Sequence, residues 1–368
     1  MNSPRLMSIG TAVPAGTMSQ VNAAAYAATR GEGDESARAL LARVYRNTTV
    51  LSRASVLFDA TDTDPSTMAF FECEPNPLGP STAERMRRFE RDAPPLAHEA
   101  AAKALAGANL SASEVTHLVT VSCTGMSAPG VDCALVSSLG LRSDVARTTI
   151  GFMGCYGAIV GFRTAAAISA AEPDAKVLVV CVELCSLHYQ PMGRGDQVVA
   201  NALFSDGAAA AVIARADHGA RVLGGASLLF PDTAACMSWR IGDHGCAMTL
   251  APEVPRLIRD NLGPWLRASL ESRGLSVPDI RGWAVHPGGP RVLDAVQSGL
   301  ELQPSDLDAS RRILAAHGNM SSGTVLFVLD ELIRSNPQPW PAVLLAFGPG
   351  LCAELFVLGE PSSAGPTG

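Results

Sequence analysis

The sequence predicts an α/β protein whose largely parallel sheet is covered by helices on both faces. Apolar segments of strand length alternate with segments of helical length along most of the chain. The strand segments are apolar almost throughout, as in Lys176–Glu183 (KVLVVCVE), and do not alternate between polar and apolar residues. Strands of this kind are buried on both faces, which requires helices on both sides of the sheet.

The first half of the chain begins irregularly and then becomes regular. A short apolar strand is followed by an Arg-rich helix over Asp34–Arg53, and residues 59–85 have the Asp, Pro and Thr content of an irregular surface loop. Beyond this loop, periodicity and apolar runs predict these elements: helix His98–Ala106, strand Val115–Ser122, helix Val131–Leu139, strand Thr148–Gly151, helix Phe152–Ala171, strand Lys176–Glu183 and strand Ala208–Ala214.

The second half repeats this order. Its predicted elements are helix Val254–Arg273, strand Arg281–His286, helix Arg291–Gly299, helix Ser321–Arg334, strand Ala342–Phe347 and strand Glu354–Gly359. Two segments, Ser122–Leu141 and Val285–Leu302, share a strand, a Gly/Pro turn and a helix in the same order. This similarity suggests a duplicated βα unit.

Composition excludes several classes of function. The net charge is −7 and no basic run occurs, whereas a nucleic-acid-binding protein needs a positive surface. The nine cysteines are scattered without a CxxC pair, and His244 near Cys246 has no further ligands, so we expect no metal site.

The N-terminus has no signal-peptide pattern. Arg163 interrupts the apolar window Phe152–Ala171, which indicates a buried helix and not a membrane span. We therefore expect a cytoplasmic protein.

Three residues at predicted element boundaries carry reactive groups. Cys155 lies between glycines where a strand ends and an apolar helix begins, and a helix N-terminus there is expected to lower the pKa of its thiol. His286 ends a strand and can accept the thiol proton. Asn319 follows a glycine, and its side-chain NH₂ can stabilise a developing oxyanion. Cysteine proteases use the same residue types, so these residues alone leave the reaction open, and an isolated cysteine is more often merely buried.

Five motifs in the same order resemble the chalcone synthase family, the type III polyketide synthases. They are Pro129–Asp132 (PGVD), Ala202–Ala209 (ALFSDGAA), Trp283–Pro290 (WAVHPGGP), Gly318–Leu332 (GNMSSGTVLFVLDEL) and Ala346–Gly350 (AFGPG). The resemblance implies a thiolase-like fold, with a five-layered α-β-α-β-α core built from two duplicated halves, and a homodimer. It places Cys155 in an N-terminal half, residues 1–220, and His286 and Asn319 in a C-terminal half, residues 221–368.

The resemblance also implies a reaction. Cys155 would take an acyl group from an acyl-CoA starter, and His286 and Asn319 would bind the thioester carbonyl of malonyl-CoA. Decarboxylation would give a carbanion that attacks the acyl group on Cys155, and repeated cycles would end in ring closure. The enzyme would be an acyltransferase that needs no cofactor beyond its coenzyme A thioester substrates.

Further site residues follow from the resemblance. Phe204 and Met248 occupy the two gatekeeper positions, and Met248, where plant members have an aromatic residue, indicates a bacterial-type member. Other substrate-binding positions carried over are Cys123, Thr124, Cys185, His188, Ser321, Gly348 and Pro349, with Arg43 for the phosphates of coenzyme A. His188 either shortens or redirects the cavity, or is simply a hydrogen-bonded buried histidine.

The product is less defined. We expect a fatty acyl starter and a pyrone or resorcinol-type product. The second alternative is a malonyl-primed product such as tetrahydroxynaphthalene. Two other functions remain open: a beta-ketoacyl-ACP synthase III, which condenses once on a carrier protein, and a cysteine hydrolase or thioester-binding protein that does not condense.

Overall fold

The computed structural model describes residues 3–30, 35–64, 69–71, 78–191, 195–336 and 338–361. The elements up to residue 215 are β1 (Pro4–Ala12), β2 (Thr17–Ser19), α1 (Gln20–Arg30), α2 (Glu35–Asn47), β3 (Ser52–Ala54), α3 (Thr82–Gly107), β4 (His117–Ser122), α4 (Val131–Leu139), β5 (Ala146–Gly151), α5 (Gly157–Ala171), β6 (Lys176–Leu184), α6 (Asp196–Leu203) and β7 (Asp206–Arg215). The remaining elements are β8 (Ala220–Leu229), β9 (Met237–Gly242), β10 (Gly245–Leu250), α7 (Val254–Glu271), β11 (Gly282–Val285), α8 (Pro290–Leu300), α9 (Asp308–His317), α10 (Thr324–Ser335), β12 (Ala342–Gly348) and β13 (Cys352–Pro361).

Nine strands form one sheet in the order β11-β12-β13-β8-β1-β7-β6-β4-β5. The pairing pattern occurs twice. β4 runs parallel to β6, which is antiparallel to β7, and β7 is antiparallel to β1. Likewise β11 runs parallel to β12, which is antiparallel to β13, and β13 is antiparallel to β8. The two halves therefore repeat one topology, and they join where β1 meets β8 at only two residue pairs.

The expectation of a largely parallel sheet is wrong. Only β4–β5, β4–β6 and β11–β12 are parallel, and the other neighbours in the nine-stranded sheet are antiparallel. An apolar run shows that a strand is buried on both faces, but it does not show the direction of its neighbour. Here, the antiparallel strands are covered on both faces as well.

The layers follow from the alternation of side chains along the strands. On β6, Val177, Val179 and Cys181 pack into a central core with α5 and α10, whereas Leu178 and Val180 face an outer core with α3. The strands β12 and β13 contribute in the same way to the central core and to a second outer core with α7 and α8. The order of layers is α-β-α-β-α, which confirms the five-layered core. The division at residue 220 stays a prediction, and β8 begins there.

Several predicted boundaries are wrong for local reasons. The first Arg-rich helix ends at Asn47 because the chain turns at Thr49, which has a φ of +61°, and Ser52–Ala54 is a strand. The helix α3 begins at Thr82, inside the predicted loop, and continues through Pro94 and Pro95. A proline pair normally ends a helix, but the alanine-rich face of α3 packs closely on the sheet.

Strands β8, β9 and β10 and helices α1, α6 and α9 were not predicted from the sequence. The predicted helix Phe152–Ala171 starts later, at Gly157, because Phe152 and Gly154 both have positive φ and form a turn. Among the described residues, no helix combines the length and the apolar character that crossing a membrane requires.

Candidate active site

Cys155 lies in a tight turn between β5 and α5. The turn is a short 3-10 segment, Gly154–Tyr156, directly before the first residue of α5. Gly154 has a φ of +75°, and a Cβ atom there would lie 2.3 Å from Cδ of Pro349. Only glycine fits, because any other residue would be strained and would collide with the proline ring. The turn therefore presents the half-buried Cys155 beside the start of a helix.

Asn319 and Ser321 bring the C-terminal half of the chain to Cys155. The thiol of Cys155 donates to Ser321 Oγ at 3.9 Å, and the Asn319 side chain also hydrogen-bonds the thiol. Asn319 Oδ1 accepts the Ser321 amide N–H at 2.8 Å. The main chain of Asn319 is held by Leu203 and Ser205 at 2.8 and 2.9 Å. The carboxamide oxygen is thus engaged, and its NH₂ group is the donor left for a ligand.

His286 follows β11 and is almost completely buried. Its ring is 1% exposed, and neither ring nitrogen has a hydrogen-bond partner among the described residues. Its backbone N–H donates to Leu345 O at 2.8 Å, which fixes the main chain. Buried polar groups are normally hydrogen-bonded, so this imidazole is unusual. The structure joins Cys155 to Asn319 and Ser321, but does not join either of them to His286 by a hydrogen bond.

Burial sets the protonation states of Cys155 and His286. It raises the pKa of the Cys155 thiol to about 12, although hydrogen bonds with Ser321 and Asn319 act in the opposite direction. It lowers the pKa of His286 to about 3. The expectation of a lowered thiol pKa is therefore not met in this structure, because desolvation of the sulfur outweighs the hydrogen bonds that favour the thiolate. Both groups are neutral near pH 7.

One narrow cavity of about 30 Å³ gathers most of the predicted pocket residues. The residues predicted from the sequence that line it are Cys123, Thr124, Cys155, Cys185, Phe204, Met248, Ser321 and Pro349. Gly348 precedes Pro349, and a Cβ atom there would lie 2.7 Å from the ring of Tyr156. Gly348 therefore allows the loop to pack against the turn that carries Cys155.

Trp239 lines the same cavity and was not predicted. It lies on β9 directly opposite Met248 on β10, and its indole N–H donates to Cys123 O at 2.9 Å. Its ring centroid lies 6.0 Å from that of Phe204. Neither hairpin strand was predicted, and a single tryptophan without a motif gives no signal that it faces a cavity.

Glu183 is a second residue that sequence reasoning did not identify. It is fully buried at the end of β6, and its carboxylate accepts from Cys123 N–H at 3.0 Å, Thr124 Oγ1 at 2.7 Å and Ser322 Oγ at 2.5 Å. Burial raises its pKa. A glutamate at the end of an otherwise apolar strand was the available signal, because buried acids with perturbed pKa values cluster at functional sites.

His188 lines a second cavity, of about 60 Å³, that shares Cys185, Phe204 and Trp239 with the first. His188 Nε2 donates to Thr124 O at 2.7 Å, and Nδ1 accepts Cys246 N–H at 2.9 Å. The ring is therefore a hydrogen-bonded buried histidine and also a cavity wall, and burial lowers its pKa to about 4. The other walls are largely aromatic: Tyr26, Tyr45, Phe58, Phe71 and Tyr189.

Arg43 lies outside both cavities. It is exposed on α2, one turn before Asn47, which lines a larger cleft of about 320 Å³. Residues four apart lie on one helix face, so Arg43 lies at the rim of this cleft. The structure does not bring Arg43 into contact with Cys155.

Comparison with known proteins decides the family. The models for the N-terminal and C-terminal domains of chalcone and stilbene synthases match residues 2–217 and 223–360. The chain belongs to the chalcone and stilbene synthase family. It is accordingly a type III polyketide synthase, an acyltransferase of a family that uses malonyl-CoA.

Individual members of the chalcone and stilbene synthase family agree with this assignment. The 1,3,6,8-tetrahydroxynaphthalene synthase of Streptomyces peucetius subsp. caesius is 42% identical over 272 residues, covering 72% of each chain. The bisdemethoxycurcumin synthase of Oryza sativa subsp. japonica is 35% identical over 300 residues, covering 76% of this chain and 74% of that protein.

A solved family structure confirms the thiolase-like fold. The C-terminal type III polyketide synthase domain of Steely1, a type I/III hybrid from Dictyostelium, superposes with a TM-score of 0.89 at 28% identity and covers 98% of this chain and 99% of that one.

Proposed function

We propose that this synthase carries its acyl intermediates on Cys155 and is primed by malonyl-CoA. Repeated decarboxylative condensation with malonyl-CoA then extends the chain, which closes to a pyrone or to an aromatic ring with resorcinol-type hydroxyl groups. The observation that carries the proposal is the convergence of Cys155, Ser321, Phe204 and Trp239, contributed by four separate segments, around one small cavity, with the Asn319 side chain beside the Cys155 thiol.

The residues divide the chemistry between them. In loading, the sulfur of Cys155 attacks the thioester carbonyl, its proton passes to a free nitrogen of His286, and the coenzyme A thiolate leaves and is then protonated. In extension, the NH₂ group of Asn319 stabilises the enolate oxygen formed when malonyl-CoA loses CO₂. The enolate carbon then attacks the acyl group and releases the Cys155 sulfur, and transfer of the lengthened chain back to Cys155 starts the next cycle.

The lining of the cavity favours decarboxylation. Phe204, Trp239 and Met248 surround the site with apolar surface. A carboxylate is costly in such an environment unless it is paired, whereas CO₂ is neutral. The apolar wall therefore favours loss of the malonyl carboxylate as neutral CO₂.

Trp239 also supports a small starter. Its indole is fixed by the hydrogen bond to Cys123 O and closes the cavity on the side of the second chamber. A cavity of about 30 Å³ leaves little room beside Cys155 for a long chain. The similarity to a tetrahydroxynaphthalene synthase, at 42% identity, supports the same product class.

A fatty acyl starter is the second candidate. The aromatic second cavity lies directly behind Phe204 and Trp239 and could take an alkyl chain if these two side chains moved apart. A single condensation on a carrier protein is a third possibility, and hydrolysis without condensation is a fourth.

Radiolabelled malonyl-CoA and product mass spectrometry test the proposal. We expect wild-type enzyme to release labelled CO₂ and to form multi-ketide products from malonyl-CoA alone. The Cys155→Ala variant should make no extended product, and Asn319→Ala should lose CO₂ release. Cys236→Ala is the control, because it alters a half-buried cysteine outside the cavity, and it should behave as wild type. Products that require octanoyl-CoA favour the second candidate. Dependence on a carrier protein, a single extension or absence of CO₂ release contradicts the proposal.

We also propose a homodimer. β5 is the edge strand of the nine-stranded sheet, and most of its residues are exposed, so its free edge can pair with a second copy. Sedimentation equilibrium tests this proposal, and a monomer at micromolar concentration contradicts it.

A further inference from the structure

Arg53 is a buried cation at the end of helix α6. It is the middle residue of β3. Its guanidinium donates through Nη1 to Asn201 O at 2.6 Å and Phe204 O at 3.2 Å, and through Nη2 to Ala202 O at 2.7 Å. Nη2 also donates to Gln20 Oε1. Within the part of the chain that the structure describes, the hydrogen-bond partners of this guanidinium include no carboxylate.

The guanidinium binds carbonyl groups that the end of a helix leaves open. Helix α6 ends at Leu203, and the last carbonyls of a helix have no partner within it. Arg53 supplies donors to two of them, those of Asn201 and Ala202. A positive charge is favourable at this place because the helix dipole is negative at its C-terminus. The end of α6 and the buried cation therefore stabilise each other.

The segment that Arg53 holds carries two parts of the active site. Phe204 forms an isolated parallel bridge with Asn319, through two main-chain hydrogen bonds of 2.8 and 2.9 Å. The Phe204 ring lines the cavity at Cys155, and the Asn319 side chain hydrogen-bonds the Cys155 thiol. A displacement of this short segment would therefore move the apolar wall and the amide donor together.

Gln20 holds the same segment from α1. It is buried, and its Nε2 donates to Ala202 O at 2.9 Å and to Thr48 Oγ1 at 2.7 Å, while its Oε1 accepts from Arg53. The two side chains thus join α1, β3 and the end of α6, which are distant in the chain. We call this pair of side chains the α6 anchor.

We propose that Arg53 is a positioning residue for decarboxylation, which sets the place of the Asn319 amide and the Phe204 ring by fixing the main chain beside them. The inference rests on the proposed function in taking loss of CO₂ from malonyl-CoA as the reaction. The described hydrogen bonds of Arg53 reach neither Cys155 nor the Asn319 side chain, so it acts through the main chain. Exact placement matters because an oxyanion is stabilised only by donors aimed at its position.

Steady-state CO₂ release from malonyl-CoA tests the proposal. In Arg53→Met, which keeps an apolar stem without the donors, we expect kcat to fall about 100-fold, as for a displaced catalytic group. KM should stay within about twofold, because the substrate loses no contact of its own. Arg53→Lys keeps the charge and a donor, so its kcat should lie between those of Arg53→Met and wild type.

A direct contact between Arg53 and a bound chain is the alternative role, because Arg53 also lines the second cavity. A direct binding contact would raise KM and leave kcat at its wild-type value in Arg53→Met. That result overturns the proposal.

Arg273→Met is the matched control. Arg273 is a half-buried arginine that also donates to main-chain carbonyls, those of Leu223 at 3.2 Å and Gly225 at 2.7 Å. Both carbonyls belong to β8, and none of these residues lines the cavity at Cys155. We expect kcat and KM of Arg273→Met to stay at their wild-type values. An equal fall of kcat in Arg273→Met and Arg53→Met would show a general loss of stability and overturns the proposal.

Gln20→Leu tests the α6 anchor with a smaller change, and it also serves where Arg53→Met does not fold. It removes the hydrogen bond to Ala202 O and leaves the three bonds from Arg53 to the main chain. We expect kcat for CO₂ release to fall about fivefold, as for the loss of one hydrogen bond. A wild-type kcat in Gln20→Leu contradicts the anchor.

Hydrogen exchange separates this inference from the proposed function. The amides of Ser205 and Asn319 form the bridge, and peptides that contain them should exchange about tenfold faster in Arg53→Met, read by mass spectrometry. Exchange there should be unchanged in Arg273→Met. If wild type releases no CO₂ but exchange still accelerates in Arg53→Met, the proposed function fails and the anchoring role of Arg53 stands. Wild-type exchange of these peptides in Arg53→Met overturns the proposal.

Discussion

At the residue scale, burial shifts the pKa of Cys155 upward and that of His286 downward. Burial holds the proton on Cys155 and keeps it off His286, whose ring nitrogens have no partner among the described residues. Both shifts favour the neutral thiol and the neutral imidazole. This arrangement favours acyl transfer to a bound thioester over reaction with other electrophiles, because the thiolate is the nucleophile.

Substitution of His286 should change the acid stability of the protein. The pKa of His286 is about 3 in the folded protein, whereas an unperturbed histidine, as in the unfolded chain, has a pKa of 6.5. Below about pH 6.5 the unfolded chain therefore takes up a proton that the folded chain does not, and stability falls as the pH falls toward about 3. Between about pH 6 and pH 4, we expect wild type to lose about 1.4 kcal/mol per pH unit more than His286→Gln does.

Urea unfolding at several pH values measures this difference. Other groups, including His188, are present in both proteins, so their effects cancel in the comparison. Equal pH dependence of wild type and His286→Gln would show that the imidazole is already protonated, or is solvated, in the folded state.

At the element scale, the β9–β10 hairpin determines the shape of the cavity. Its two strands form a separate small sheet, and the pair of Trp239 and Met248 places both side chains on the cavity. Trp239 also separates the two cavities together with Phe204 and Cys185. Under the proposed function, the choice of starter would thus depend on an element that contains none of Cys155, His286 and Asn319.

Replacement of Trp239 should join the two cavities. In Trp239→Ala, we expect use of hexanoyl- and octanoyl-CoA as starters to increase about tenfold or more relative to malonyl-CoA, because the indole no longer closes the route to the aromatic chamber. Competition assays with mixed starters, read by mass spectrometry, measure this ratio. Ile241→Ala, which alters an exposed residue of the same hairpin, is the control. A starter preference that stays at the wild-type value in Trp239→Ala contradicts this account of the partition.

At the scale of the whole molecule, the active site lies where the two repeated halves meet. Glu183 joins them, since its carboxylate binds Cys123 and Thr124 of the first half and Ser322 of the second. The group is fully buried and is one of several direct polar links between the halves at the site, together with the Asn319 backbone bonds to Leu203 and Ser205 and the Trp239 bond to Cys123 O. Its removal leaves several buried donors without an acceptor.

Two substitutions at Glu183 should differ in stability. We expect Glu183→Ala to lower the free energy of unfolding by about 3 kcal/mol, because the hydroxyl and amide donors around it lose their partner. Glu183→Gln retains one acceptor oxygen and should cost about 1 kcal/mol. Chemical denaturation followed by circular dichroism measures both. A loss below about 0.5 kcal/mol for Glu183→Ala would mean that water replaces the carboxylate and that the two halves do not depend on it.

Sequence alone determined the layered α/β class and the duplicated order of elements, because apolar runs and glycine turns are local properties of the chain. It also predicts Cys155, His286 and Asn319 as the reactive residues, from the motifs around them. Most of the pocket followed from the same motifs. Strand direction, the continuation of α3 through Pro94 and Pro95, and the positions of Trp239 and Glu183 were decided only by the tertiary structure. So were the neutral states of Cys155 and His286, since desolvation depends on which residues from distant parts of the chain surround a group.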